Sequence, residues 1–338
     1  MANQQSVEAK RAESRRPFSG GEILQNENLG SMHRERASAV LADLAKLNNV
    51  SLSPFLEIGA GSVQRSAALI NHYPAEGVAT DISLGSLRDA PYILSLLGYA
   101  RMPMRICCDA HHLPFLSNTF RFVFAYQTLH HFEDPVPVVA ECYRVLGKGG
   151  QFFFNEEPMD SAYRRLLRGN RLLSHPPTKL QSFGYRLGVE KLFWDDGKLE
   201  RSLGMAEARF DFDLWRQALR PFDKKALEIN RHLGIKTNLH TPALSSYLAG
   251  IIGGNVRGQC LKEYGEPAEG DFRKKLMCLD CSSTELISRS NRLCCQCCGR
   301  EYPIIENVIC MMPRELEALL DGTRARADNR GERGGSGG

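Results

Sequence analysis

Between Phe55 and Phe154, short apolar runs alternate with helical stretches, and that alternation limits the folds open to the chain. Phe55–Ile58 leads into Gly59-Ala60-Gly61. Gly77–Thr80 ends at Asp81, and Met104–Cys107 runs up to Cys108 and Asp109. Phe122–Tyr126 and Gln151–Phe154 complete the series. Runs this short, with little polar alternation, suit strands buried on both faces. Strands separated by helices imply crossover connections and a parallel sheet covered on both sides. The predicted fold class is α/β.

The helices carry their own signals. Residues 33–47 follow a helical period: Ala37, Val40, Leu41 and Leu44 share a face, with Arg34, Glu35 and Asp43 largely off it. Val63–Ile70 is the helix after the first strand. Asp134 is a good N-cap with Pro135 at the first helical position. Val136, Val139, Tyr143 and Leu146 form that helix's buried stripe, and Gly147 with Gly149-Gly150 ends it.

At 338 residues the chain can hold one large domain and a small one. A net charge of +4 does not by itself imply nucleic-acid binding. No stretch approaches the roughly 18 apolar residues of a membrane helix. The polar start, MANQQSVEAKRAESRRP, lacks the apolar segment of a secretory signal, so a cytoplasmic protein is expected. The eleven cysteines are unevenly placed, seven of them between Cys278 and Cys310. An odd total argues against a disulfide framework, and the cluster argues for metal.

A glycine-rich turn between strand and helix lets backbone approach a ligand closely. Gly59-Ala60-Gly61 supplies it, and Asp81, 20 residues beyond Gly61, can accept both hydroxyls of a ribose. These features alone also fit a dinucleotide enzyme, but Gln64 occupies the third glycine position of that fingerprint and disfavours pyrophosphate.

Five pieces in one order decide between them: LEIGAG, VATDIS, CDAHHLPF, FVFAYQTLHHFEDP and RVLGKGG, between Leu56 and Gly150. The set resembles the class I S-adenosylmethionine-dependent methyltransferases, especially the type 11 group. The resemblance implies a Rossmann-like seven-stranded methyltransferase sheet and assigns cofactor roles. Glu57 orients the methionine end, and Gly59, Ala60 and Gly61 pass under the cofactor. Asp81, followed by Ile82, holds the ribose. Asp109 and the Ala110 backbone hold the adenine, and Gln127 lies near the methionine end. His130 and His131 are the candidate bases at the acceptor side, followed by Glu156 and Glu157, and Tyr126 suits packing or the pocket wall. Methyl transfer is an in-line displacement from an activated sulfonium, so a base is needed only where the acceptor must lose a proton. Two positions depart from the pattern: Val63 stands where many relatives have a third glycine, and Arg121 where an aspartate is frequent.

Cys278-x2-Cys281, thirteen residues, then Cys295-x2-Cys298 is the spacing of a four-thiolate zinc site. Cys294 and Cys297 offer a second register. Cys298-Gly-Arg-Glu-Tyr-Pro-Ile304 resembles the zinc ribbon of the small activator subunit of tRNA, ribosomal RNA and release-factor methyltransferases. That resemblance selects Cys295 and Cys298 and implies a short strand over Val308–Met312. In this chain Asn307-Val308-Ile309 replaces the usual Gly-Ile-Pro.

The expected organisation is a flexible arm (1–30), the cofactor-binding core (31–157), the rest of the fold with a substrate-covering helical insertion (158–275), the ribbon (276–313) and a disordered tail (314–338). Within 158–275 the reading includes a basic run, Arg164–Arg186, aromatic clusters at Phe193-Trp194 and Phe210–Trp215, and a helix over Lys224–Leu233. A chain cut near residue 272 is expected to keep its cofactor site. The expected activity is methyl transfer from S-adenosylmethionine to a small-molecule, glycan or lipid-precursor acceptor, with Zn2+ in the ribbon. The basic run hints at an anionic acceptor. Two alternatives stand beside it: an RNA methyltransferase with its activator fused, and a non-catalytic scaffold that retains the fold. The ribbon is also a candidate surface for a protein partner.

Overall fold

The computed structural model describes residue 10 and residues 28–47, 49–160, 208–230 and 254–320. Most of the arm, the basic run Arg164–Arg186, the pair Phe193-Trp194 and residues 321–338 lie outside the described residues. The chain divides into two compact units. The first comprises residues 1–124, 144–150 and 265–338, and the second residues 125–143 and 151–264.

In the first unit, α1 (Asn28–Leu44) packs against α2 (Gln64–His72). Strands β1 (Phe55–Ile58), β2 (Gly77–Asp81) and β3 (Met104–Cys108) run parallel, with Leu56 opposite Val78 and Thr80 opposite Ile106. The core residues of β1 and β2 are fully buried, as expected for strands covered on both faces. Between β2 and β3 lies α3 (Leu84–Leu97). Ser83 caps it by accepting the Ser86 N–H at 3.2 Å, and Gly98 at φ 72° ends it. The three parallel strands end at Ile58, Asp81 and Cys108, so Gly59, Asp81 and Asp109 all stand at the carboxyl edge of the sheet. Ligands bind at that edge in open α/β folds.

The carboxyl-terminal strands belong to the same unit. β8 (Leu286–Arg289), β9 (Arg292–Cys295), β10 (Glu301–Ile305) and β11 (Val308–Met311) form an antiparallel series. β11 then pairs in parallel with β3, with Ile309 opposite Ile106 and Cys310 opposite Cys107. The ribbon's last strand therefore extends the parallel sheet of the first unit. Val308, Cys310, Met312, Leu316, Leu319 and Leu320 share one buried cluster with Ala60, Val63, Ala79, Leu87 and Cys107. The β10–β11 turn takes left-handed backbone at Glu306 and Asn307, a conformation asparagine tolerates well, so the missing glycine is accommodated. Arg105 donates to Leu87 O at 2.7 Å and Glu306 O at 3.0 Å, and Arg88 pairs with the Glu306 carboxylate. The turn is thus fixed to β3 and α3.

β4 (Phe120–Tyr126) and β5 (Leu146–Met159) each carry the chain across a unit boundary, and α4 (Val136–Val145) joins them. In the second unit, β7 (Gly254–Leu261) pairs antiparallel with β5 and with β6 (Lys224–Asn230). Lys224–Asn230 was read as part of a helix, and the structure corrects this. Lys, Ala, Leu and Glu are helix formers, but seven residues of pairing with β7 override local propensity. Short α5 (Phe212–Ala218) buries Trp215, which stacks on Phe154 at 4.8 Å. The chain has the α/β fold with parallel and antiparallel strand pairs. No helix among the described residues is long and apolar enough to cross a membrane.

Candidate cofactor site and metal centre

Glu57 stands in β1, fully buried, before the glycine turn. One carboxylate oxygen accepts the Ser66 N–H at 3.1 Å and the Ser66 hydroxyl. The other, Oε1, is buried with no hydrogen-bond partner among the described residues. Burial raises the Glu57 pKa to about 7, with Arg65 and Ser66 only partly offsetting it.

Gly59 (φ 63°) and Gly61 (φ 53°) both take left-handed backbone. A side chain on Gly61 would meet nothing within 4 Å, so backbone faces open space there. Ala60 N–H donates to Thr80 O at 2.9 Å, tying the turn to β2. Val63 adopts the same left-handed region at φ 68° while fully buried. The position of the missing third glycine thus keeps a glycine-like backbone, at a cost of roughly 1–2 kcal/mol for an L-residue. The buried side chain offsets that cost.

Asp81 is held from both sides: Oδ2 accepts Gly61 N–H and Oδ1 accepts Ser83 N–H, each at 2.8 Å. The carboxylate that ends β2 is thereby linked to the glycine turn after β1. Ile82 packs against the buried cluster. Asp109, after β3, is almost fully buried. Its Oδ1 accepts His111 N–H at 3.1 Å and lies 2.8 Å from His111 Nδ1, and Lys10 Nζ donates to Oδ2 at 2.7 Å. Burial pushes its pKa up, but His111 and Lys10 outweigh that and hold it well below the usual carboxylate range. Ala110 follows in the turn after β3. Glu57, Gly59, Ala60, Gly61, Asp81, Asp109 and Ala110 thus all stand in the first unit.

Gln127, His130, His131, Glu156 and Glu157 belong to the second unit. Gln127 is exposed, at φ 51°, and its N–H donates to Asn155 O at 3.1 Å. Leu129–His131 forms a 3-10 turn organised around Glu157. The fully buried Glu157 accepts N–H groups of Thr128 (2.8 Å), Leu129 and His130 (both 3.1 Å), and lies 2.8 Å from His130 Nδ1. Burial pushes its pKa up, and these donors overcome the penalty and lower it. Glu157 therefore anchors the turn and orients His130. The His131 ring lies 4.2 Å from that of His130. Glu156 takes φ 63° at a bulge between Phe154 and Glu157. Tyr126 is buried against Phe153.

The thiols of Cys278, Cys281, Cys295 and Cys298 gather with all sulfurs within 4.8 Å of one another. Cys278–Cys298 is 3.6 Å and Cys281–Cys295 is 3.5 Å, near the ~3.8 Å edge of a tetrahedron with 2.3 Å Zn–S bonds. Cys294 instead faces Glu301, and Cys297 is exposed. Tyr302, in β10, places its hydroxyl 3.3 Å from Cys278 Sγ and accepts Leu279 N–H at 2.8 Å. The thiol cluster is thus tied to the hairpin that reaches β3.

Sequence reasoning passed over Lys10, Ser66, Ser83 and His111. The last two were readable: Asp81-Ile-Ser83 and Asp109-Ala-His111 both match the pattern of an aspartate accepting a backbone N–H two residues on. Lys10 carries no such local signal.

Residues 56–154 match the family model described as a methyltransferase domain. A ubiquinone/menaquinone biosynthesis C-methyltransferase from Desulfotalea psychrophila is 31% identical over 109 residues, which is 32% of this chain. The chain spans 43% of the length of that relative. A Thermotoga maritima S-adenosylmethionine-dependent methyltransferase is similar at 18% identity, over 71% of this chain and 96% of its own, with a TM-score of 0.42. A complex of the Haloferax volcanii Trm112 methyltransferase activator with a methyltransferase matches at 15% identity, over 70% of this chain and 95% of the matched chain, with a TM-score of 0.41.

Proposed function

We propose that this chain, through the methyltransferase domain its residues 56–154 match, moves a methyl group from S-adenosylmethionine to a small-molecule, glycan or lipid-precursor acceptor. The observation that carries the reading is the carboxyl edge of β1–β3. There, a buried carboxylate with one unsatisfied oxygen, an open glycine turn and two fixed aspartates come from three consecutive parallel strands. A cofactor with an ammonium, a ribose and an adenine matches that set: Glu57 for the ammonium, Asp81 for the ribose hydroxyls, Asp109 and Ala110 for the adenine. The bound cofactor would supply an activated sulfonium methyl, and the chain's own task is alignment and exclusion of water. On the acceptor side, His130 is the candidate base, with Glu157 holding its ring. His131 and Gln127 are the other candidates in that second unit.

The four-thiol cluster suits Zn2+, whose preferred ligands and geometry it offers. A second reading draws on one observation: the strand that ends the four-cysteine ribbon pairs in parallel with β3, so the ribbon and the cofactor strands share one sheet in this chain. That favours the class of RNA methyltransferases with ribbon-type activators, and strongly salt-dependent RNA binding would support it. The scaffold reading predicts no cofactor binding at all.

Calorimetric titration of the zinc-loaded protein with S-adenosylmethionine, S-adenosylhomocysteine and NADH separates both methyltransferase readings from the scaffold reading. Micromolar binding of the first two alone is expected, and Asp81→Ala should weaken both at least tenfold without changing the fold. Binding of NADH, or unchanged affinity in the variant, would remove the assignment.

A further inference from the structure

Arg300 follows closely after Cys298 and joins the thiol cluster to the segment beyond β11. Its backbone belongs to the second pair of cysteines: the N–H donates to Cys298 Sγ, and the carbonyl accepts the Cys295 N–H at 2.8 Å. The residue is 7% exposed. Its guanidinium donates to Met312 O at 3.2 Å, pairs with the Glu317 carboxylate and lies 4.0 Å from Asp280 Oδ2. It also covers the Tyr302 ring at 5.2 Å. Asp280 stands between Cys278 and Cys281, and Arg314 Nε donates to its Oδ2 at 2.9 Å. Both pairs of cysteines are thereby tied to residues 312–317 by charge-assisted contacts. Arg314 has a side chain 69% exposed, so water screens its pair with Asp280 and the pair contributes little. The buried guanidinium of Arg300 carries the link.

The same segment reaches the glycine turn. Met312, Leu316, Leu319 and Leu320 share a buried cluster with Ala60 and Val63. Val63 holds left-handed backbone at φ 68° with its side chain fully buried. A β-branched residue keeps that conformation only where its surroundings over-determine it. Taking the four apolar side chains out of the cluster removes much of that constraint, and the turn Gly59-Ala60-Gly61 just before Val63 relaxes with it. Residues 312–320 are therefore a docked element that two ligands favour. Metal fixes the cysteine pairs from which Arg300 and Asp280 hold the segment, and a cofactor on Gly59–Gly61 needs the turn that the segment packs on.

We propose that Arg300 is the positioning residue through which zinc in the thiol cluster raises affinity at the glycine turn, so that metal and cofactor bind cooperatively. This linkage rests on the zinc and S-adenosylmethionine readings and deepens both. Its size is set by how strongly each ligand prefers the docked state. It is also reciprocal: the cofactor must raise zinc affinity by the same factor as zinc raises cofactor affinity, on the order of tenfold for a typical coupling.

Reciprocity lets the test start from the zinc-loaded, full-length protein. Zinc affinity is measured by competition with a chromogenic chelator, with and without saturating S-adenosylhomocysteine, whose own binding is followed by calorimetry. In the wild type, S-adenosylhomocysteine should tighten zinc about tenfold. Arg300→Met keeps the buried bulk and all four thiols, so it should still bind both ligands. Its zinc affinity should change by less than about twofold when S-adenosylhomocysteine is added. Glu317→Gln, at a half-exposed position that tolerates the change, weakens the same link and should lower the factor too. A purely structural Arg300 predicts weaker zinc and a lower melting temperature in Arg300→Met with the tenfold factor intact, and that result would overturn the proposal. Wild-type zinc affinity that ignores S-adenosylhomocysteine would overturn it as well. Wild-type protein that fails to bind S-adenosylhomocysteine, or fails to hold zinc, removes the cofactor or the metal reading and the linkage with it, and the two titrations show which.

Discussion

Glu57 makes the pH behaviour of the cofactor site testable at a single residue. Its pKa is raised to about 7, above the ordinary 4.5, because burial penalises the charged form. A carboxyl group raised in this way stabilises the ligand-free fold below its unfolded pKa. That contribution is lost as pH rises through about 7. Ligand-free melting temperature should therefore fall between pH 5 and 8, and the slope should flatten in Glu57→Gln. An ammonium ligand needs the ionised form, so affinity should move the other way. S-adenosylhomocysteine binding should weaken up to about tenfold per pH unit below 7, with proton release on binding. His33, neutral down to about 4, does not contribute across that window. Calorimetry in two buffers of different ionisation enthalpy counts the protons, and a count of zero at pH 6 would refute the assignment. At Asp109, the proposed adenine contact, the Lys10 ammonium donates to Oδ2 and competes for that carboxylate. Lys10→Ala should tighten adenosine and S-adenosylhomocysteine several-fold, and weaker binding would show that Lys10 supports the cofactor instead.

At the scale of elements, the local signals were legible and the distant pairings were not. Four of the five strands between Phe55 and Phe154 lie where short apolar runs put them, since burial on both faces leaves that trace in composition; the fifth contains Gln151–Phe154 but runs from Leu146, read as helix, to Met159. The thiol spacing likewise pointed to a four-cysteine site, and the ribbon resemblance chose, between two registers, the four thiols that cluster. Lys224–Asn230 failed because its residues favour a helix locally and only the partner strand β7 makes it extended. The β3–β11 pair left no local trace, because its two members stand far apart in the chain. Cys278→Ser tests how the thiol cluster supports that pair. Tyr302 connects Cys278 to β10, and β10 carries β11. The variant should lose zinc and show faster amide exchange through residues 301–312. Full zinc retention would show that a different set of thiols binds the metal.

On the scale of the whole molecule, the decisive question is whether the cofactor half exists without the ribbon. From the sequence, a chain ending near residue 272 is expected to keep its cofactor site, and the β3–β11 pairing argues otherwise. Such a chain lacks β11 and exposes the edge of β3, whose next residue is Asp109. It also lacks Val308, Met311, Met312, Leu316 and Leu320, all buried in the native fold. At roughly 2 kcal/mol for each buried side chain, the loss is on the order of 10 kcal/mol. That is comparable with the entire stability of a typical domain. Arg105 would in addition lose its Glu306 partner while remaining beside α3. The truncated chain should therefore unfold without a cooperative transition, aggregate through the bare strand edge and fail to bind S-adenosylhomocysteine. Adding residues 273–320 with zinc should restore part of the binding, because the missing strand and its apolar face would return together. A truncated protein that melts cooperatively and binds with full affinity would show that β1–β3 and their carboxylates hold their positions without β11.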